Sequence, residues 1–81
     1  MSYSIAIFDD DLERLSALSD LLSFSPNIKR CFANQNCLTL LSDIAAAEPD
    51  LVLMDVNMPG INGIEATKII KEKYSDWPVI I

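Results

Sequence analysis

Two short apolar runs, each closed by aspartate, constrain this chain more than any other feature. Ile5-Ala6-Ile7-Phe8 ends in Asp9-Asp10-Asp11, and Leu51-Val52-Leu53-Met54 ends in Asp55. Runs this short and apolar at consecutive positions suit strands buried on both faces, as in a parallel sheet covered by helices. If the two strands are neighbours, about 4.8 Å apart, their terminal carboxylates converge. Crowded carboxylates repel one another, and a bound cation or a retained proton relieves the repulsion. No basic residue adjoins either strand end in the sequence, so the counter-charge expected here is a metal ion.

The segments between the strands carry helical periods. Leu12, Leu15, Leu18 and Leu22 recur on one face of a first helix, with Glu13, Arg14, Ser16, Ser19 and Asp20 on its polar side. Asp10 or Asp11 supplies its cap, since a short acceptor at that position satisfies free backbone N–H groups. Ser25-Pro26-Asn27 breaks the helix, and Ile28 to Ala33, with Lys29 and Arg30, reads as an edge strand.

Asn36 is the expected cap of a second helix reaching Ala47, with Leu38, Leu41 and Ala45 along its apolar line. Glu48-Pro49-Asp50 ends it. After Met58-Pro59-Gly60, Asn62 and Glu65 stand three apart, a capping-box spacing for a third helix to about Tyr74. Glu65–Lys68 and Lys68–Glu72 pairs are expected on its exposed side. Asp76-Trp77-Pro78 turns the chain into Val79-Ile80-Ile81.

The order is β-α-β-α-β-α-β, a doubly wound parallel α/β sheet formed by one domain over residues 1–81. Ligands of such sheets bind beyond the carboxyl ends of the strands, where Asp9, Asp10 and Asp55 stand. The net charge of −6 excludes a grip on a nucleic-acid backbone by this segment, and no apolar stretch is long enough to span a bilayer. With no histidine and only Cys31 and Cys37, a zinc site is not expected; Cys31 reads as a strand residue and Cys37 as a helix residue. Met54, Met58 and Trp77 read as packing residues, and Lys68, Lys71 and Lys73 as a solvated helix face.

Taken singly, Asp9-Asp10-Asp11 is a helix cap with a solvated turn, and Asn57-Met58-Pro59-Gly60 is ordinary turn punctuation. Together, Phe8-Asp9-Asp10-Asp11 and Leu53-Met54-Asp55-Val56-Asn57-Met58-Pro59-Gly60-Ile61-Asn62-Gly63-Ile64-Glu65 resemble the receiver domain of two-component response regulators. Pro78-Val79-Ile80-Ile81 resembles the entry to that family's fourth strand. The resemblance implies a flavodoxin-like fold and a cytoplasmic signalling module rather than an enzyme. It makes Asp55 the phosphoacceptor, served by a sensor histidine kinase. Asp9 and Asp10 become the acidic pair that supports Mg2+, with the backbone carbonyl of Asn57 and Asp55 itself.

Family members continue past the fourth strand through a hydroxyl residue and a lysine that hold the phosphoryl group. The chain is therefore expected to be the N-terminal part of a receiver, without the last helix-strand-helix. Val79 to Ile81 as a bare strand, or the first-helix face, is then expected to pair with a second copy. Gly63-Ile64-Glu65-Ala66-Thr67-Lys68 resembles the subgroup whose receivers precede a LuxR-type helix-turn-helix, which implies a parent protein that regulates transcription.

Two other readings compete. A pseudo-receiver would serve only as an interaction or dimerisation module. A haloacid-dehalogenase-type hydrolase would use an Asp-x-Asp pair, which Asp9 and Asp11 match only through the triple aspartate. The Met58-Pro59-Gly60 block favours the receiver.

Overall fold

The computed structural model describes residues 2–81. Its elements are β1 (Tyr3–Phe8), α1 (Leu12–Ser23), β2 (Ile28–Asn34), α2 (Leu40–Ala47), β3 (Leu51–Met54), α3 (Gly63–Lys73) and β4 (Val79–Ile80). The strands form one parallel sheet in the order β2-β1-β3-β4, so β2 is an edge, as expected, and β1 and β3 are neighbours.

Alternation along β1 divides the core. Ile5 and Ile7 point to the face covered by Leu15, Leu18 and Leu22 of α1, with Leu51 and Leu53 beside them. Ala6 and Phe8 point to the other face, with Val52, Met54 and Met58, under Leu40 and Ile44 of α2 and Ala66 and Ile70 of α3. Phe8, Ile44, Val52, Ala66 and Ile70 are sealed from solvent. Among the described residues, no helix is long and apolar enough to cross a membrane.

The start of α1 resolves the choice of cap. Asp11 accepts from the backbone N–H groups of Glu13 (3.0 Å) and Arg14 (3.2 Å). Leu12 departs from the expected apolar face: as the first residue of the helix it lies beyond the sheet and is 58% exposed.

The second helix departs further. Asn36 accepts from the backbone N–H of Leu38 (3.0 Å) and closes a turn instead of capping a helix. The helix then begins at Leu40, behind Thr39, which makes no side-chain cap bond. This delay rotates the buried line to Cys37, Leu40 and Ile44, and leaves Leu38 74% exposed and Ala45 at the surface. Cys37 lies in the bend ahead of the helix, not in it, and burial pushes its thiol up to about 11. Pro49 stops α2, and Glu48 ends it in the left-handed region (φ 47°) with its N–H on the Ile44 carbonyl (2.8 Å).

The third helix starts as expected. Asn62 accepts from the Glu65 N–H (2.9 Å), and its amide donates to the Glu65 carboxylate (3.2 Å). With Glu65 so engaged, the expected Glu65–Lys68 pair does not form, and neither does Lys68–Glu72; all ion pairs among the described residues belong to Arg14. Trp77 packs edge-on against Tyr74 (4.9 Å) and donates its indole N–H to the Pro49 carbonyl (2.7 Å), a packing role.

Candidate functional site

The register of β1 on β3 builds the site. Phe8 is opposite Met54, so Asp9 and Asp55 leave neighbouring strands side by side. The Asp55 N–H donates to the Phe8 carbonyl (2.9 Å), and the Asp9 N–H to the Asn34 carbonyl on β2 (3.0 Å). Asp9 is buried, Asp55 half-buried and Asp10 exposed. One carboxylate oxygen from each of Asp9, Asp10 and Asp55 lies within 4.8 Å of the other two. The three predicted acids are therefore brought together, while Asp11 is occupied as the helix cap. Asn57 follows Asp55 by two residues, exposed on the turn.

That turn is fixed from behind. The N–H groups of Met58 (3.3 Å) and Gly63 (3.0 Å) both donate to the Val56 carbonyl, and Met58 is buried. Gly63, the first residue of α3, lies directly against the backbone of Asp55: a Cβ there would stand 2.2 Å from the Asp55 carbonyl oxygen. A pocket of about 260 Å³ opens beside the acids, with Asp9 and Asp55 in its wall and Leu18, Leu53 and Ile80 on its apolar side. A larger groove of about 540 Å³ lies at the opposite end of the sheet, where Asp50 and Pro78 lead into β3 and β4, and is remote from the cluster.

The sequence reading missed one member of the site. No basic residue adjoins either strand end in the sequence, and the helical period puts Arg14 on the polar side of α1. Its guanidinium in fact bridges both strands: Nε donates to Asp9 Oδ2 (2.5 Å), while Nη2 donates to Asp9 Oδ1 (2.9 Å) and Asp55 Oδ2 (3.2 Å). Side chains in the first turn of a helix lean toward its N-terminus, here toward the acids. A signal was present: a cation at the positive end of a helix is unfavourable unless acids surround it.

The bond from Arg14 holds the Asp9 carboxyl below its ordinary value of 3.8; burial opposes this, and the Asp11 N–H on Oδ1 (2.9 Å) assists it. A carboxyl lowered in the folded state contributes stability that is present above its unfolded value and is lost as pH falls through the folded one. Urea midpoints of the wild type and Asp9→Asn should therefore differ by a constant amount above about pH 4 and converge below it. A gap that stays constant down to about pH 2 would mean that Asp9 does not titrate in this way.

The donor set is all carboxylate, with no thiol or imidazole near it, which suits a hard cation such as Mg2+ rather than zinc or copper. Comparison with known proteins agrees with this geometry. Residues 5–81 match the response regulator receiver domain. The protein-glutamate methylesterase/protein-glutamine glutaminase of a Nocardioides species is 34% identical over 77 residues, covering 95% of this chain and 21% of that protein. The transcriptional regulatory protein DegU of Brevibacillus brevis is 29% identical over 77 residues, covering 95% of this chain and 33% of that protein. The crystal structure of the response regulator domain of Thermotoga maritima CheB superposes with a TM-score of 0.80 at 31% identity, over 91% of this chain and 55% of that one. The fold and the site define a signalling module of two-component systems. The chain belongs to the response regulator receiver domain family. It spans between a fifth and a third of the length of these two curated relatives.

Proposed function

We propose that this chain accepts a phosphoryl group on Asp55 from a sensor histidine kinase, in the cytoplasm, with Mg2+ as cofactor. The observation that carries this reading is the pairing of Asp55 with Asp9 at the carboxyl ends of β3 and β1, with Asp10 in reach of both. An Asp55 carboxylate oxygen attacks phosphorus in line. The new O–P bond forms as the P–N bond to the kinase imidazole breaks, and the imidazole leaves with the electron pair. Asp9, Asp10, Asp55 and the Asn57 carbonyl would hold magnesium, which when bound neutralises charge on the transferring oxygens. The β1–β3 register orients Asp55, and Gly63 lets α3 close against its backbone.

In this reading residues 5–81 supply the phosphoacceptor and the metal ligands of a receiver and assist their own phosphorylation. The parent protein regulates transcription, in keeping with the DegU relative. The methylesterase relative joins a similar segment to a different output. A second copy of the chain is a further partner, through β4 or beside α1; Ile80, 54% exposed, supports this. The contacts of Arg14 favour one alternative, a pseudo-receiver in which this side chain replaces the metal and the domain serves only as an interaction module.

Intact mass spectrometry after incubation with acetyl phosphate and Mg2+ separates the two. The protein should gain one phosphoryl group, and Asp55→Asn none. An adduct that survives Asp55→Asn removes the assignment, and no adduct on the wild type favours the pseudo-receiver.

A further inference from the structure

We propose that Arg14 is a built-in counter-cation that fills the acidic cluster in the absence of metal and must withdraw from Asp9 and Asp55 when Mg2+ enters, so that this one side chain sets the metal affinity of the site. The inference rests on the reading of Asp9, Asp10 and Asp55 as magnesium ligands.

Nη2 is shared between Asp9 and Asp55, so the guanidinium lies between two of the carboxylates that would hold a metal. Both Asp9 oxygens are taken, Oδ2 by Nε, and Oδ1 by Nη2 together with the Asp11 N–H. Arg14 and a divalent ion therefore compete for the same lone pairs. Asp10 is the member of the cluster with which Arg14 forms no ion pair among the described residues, which leaves it to make the first contact with an arriving ion.

The two ends of the contact differ in their freedom to move. The Asp9 side chain is 5% exposed and fixed at the strand end, whereas that of Arg14 is 51% exposed on the first turn of α1. The arginine can swing into water without disturbing the core. Solvent around the half-exposed Arg14 screens its side of the contact, and the arriving cation replaces its charge at the buried Asp9. Displacing the arginine is thus a modest tax on metal binding, about three- to tenfold in affinity for contacts to two carboxylates. The arrangement also explains why a cation is tolerated at the positive end of a helix, where the macrodipole opposes it.

Titration of the protein with Mg2+ at constant ionic strength, followed by 1H–15N shifts of residues 9–14 and 55–57 and of the Arg14 Nε–H, tests the proposal. Arg14→Met should bind Mg2+ about three- to tenfold more tightly than the wild type, and Arg14→Lys by a smaller factor, because lysine keeps the charge but loses the fork. In the wild type the Arg14 Nε–H signal should move with the same midpoint as the Asp55 amide. Metal-free Arg14→Met should melt below the wild type and gain more from Mg2+. Should it fail to fold without metal, Arg14→Lys carries the affinity comparison. Equal or weaker affinity in the variants, with an unmoved Arg14 signal, overturns the proposal and leaves the metal site standing. Absence of any Mg2+ response in the wild type and both variants overturns the metal site itself, and the proposal with it.

Discussion

Gly63→Ala should lower the melting temperature by about 10 °C or more and displace Asp55 at the same time. A Cβ at Gly63 would lie 2.2 Å from the Asp55 carbonyl oxygen and 2.8 Å from both the Asp55 carbonyl carbon and the Val56 Cα. All three are backbone atoms, so no side chain can rotate out of the way. Alanine gains up to about 1 kcal/mol over glycine in a helix interior, and less at the first helical position. Overpacking typically costs about 1–3 kcal/mol, and an immovable neighbour places this site at or above the top of that range. The clash wins. A net loss near 2 kcal/mol corresponds to about 10 °C in a domain of this size. Gly60→Ala is the control, because a Cβ there meets nothing within 4 Å and only its φ of 80° resists the substitution. Differential scanning calorimetry of both variants checks the ranking, and a Gly63→Ala protein that melts with the wild type would remove the contact from the account of the site.

Phe8→Ala should cost about 3–5 kcal/mol. Phe8 is fully buried at the centre of the larger core, and it is the residue from which Asp9 emerges. At about 0.05–0.15 kcal/mol per residue, an 81-residue chain holds only about 4–12 kcal/mol of net stability. The substitution therefore removes about a quarter of it or more. The urea midpoint should fall with little change in slope, since the surface exposed on unfolding is nearly the same. A loss below about 1 kcal/mol would show that Met54, Met58 and Leu40 collapse into the space, and that the strand end does not depend on this ring.

What the sequence made legible, and what it hid, follows from how local each signal is. The strand ends could be read because four consecutive apolar residues and the acids after them are adjacent in the chain. The start of α3 could be read because Asn62 and Glu65 interact over a single turn. The start of the second helix is less legible: Asn36 supports a turn as well as a cap, and the choice depends on Cys37 and Leu40 finding the core. A small shift of that origin turns the whole apolar line between Leu38 and Leu40. Arg14 was hidden for a different reason. Its partners lie five residues back and 41 residues ahead, and only the pairing of β1 with β3 makes them one target.

That pairing carries a consequence for how the chain acquires competence. Ser4 and Asp50, 46 residues apart, exchange hydrogen bonds at one end of the β1–β3 seam: the Ser4 N–H reaches Asp50 Oδ2 and the Asp50 N–H reaches the Ser4 carbonyl, each at 2.7 Å. The acids meet at the other end of the same seam. A nascent chain that has joined only β1 to β2 has Asp9 beside Asn34 and Asp55 not yet docked against it. Closing the longer loop costs little more entropy than closing the shorter one, so what the site waits for is synthesis and docking of β3. The cluster is thereby tied to completion of the sheet: in a half-made or unzipped chain Asp9 and Asp55 do not meet.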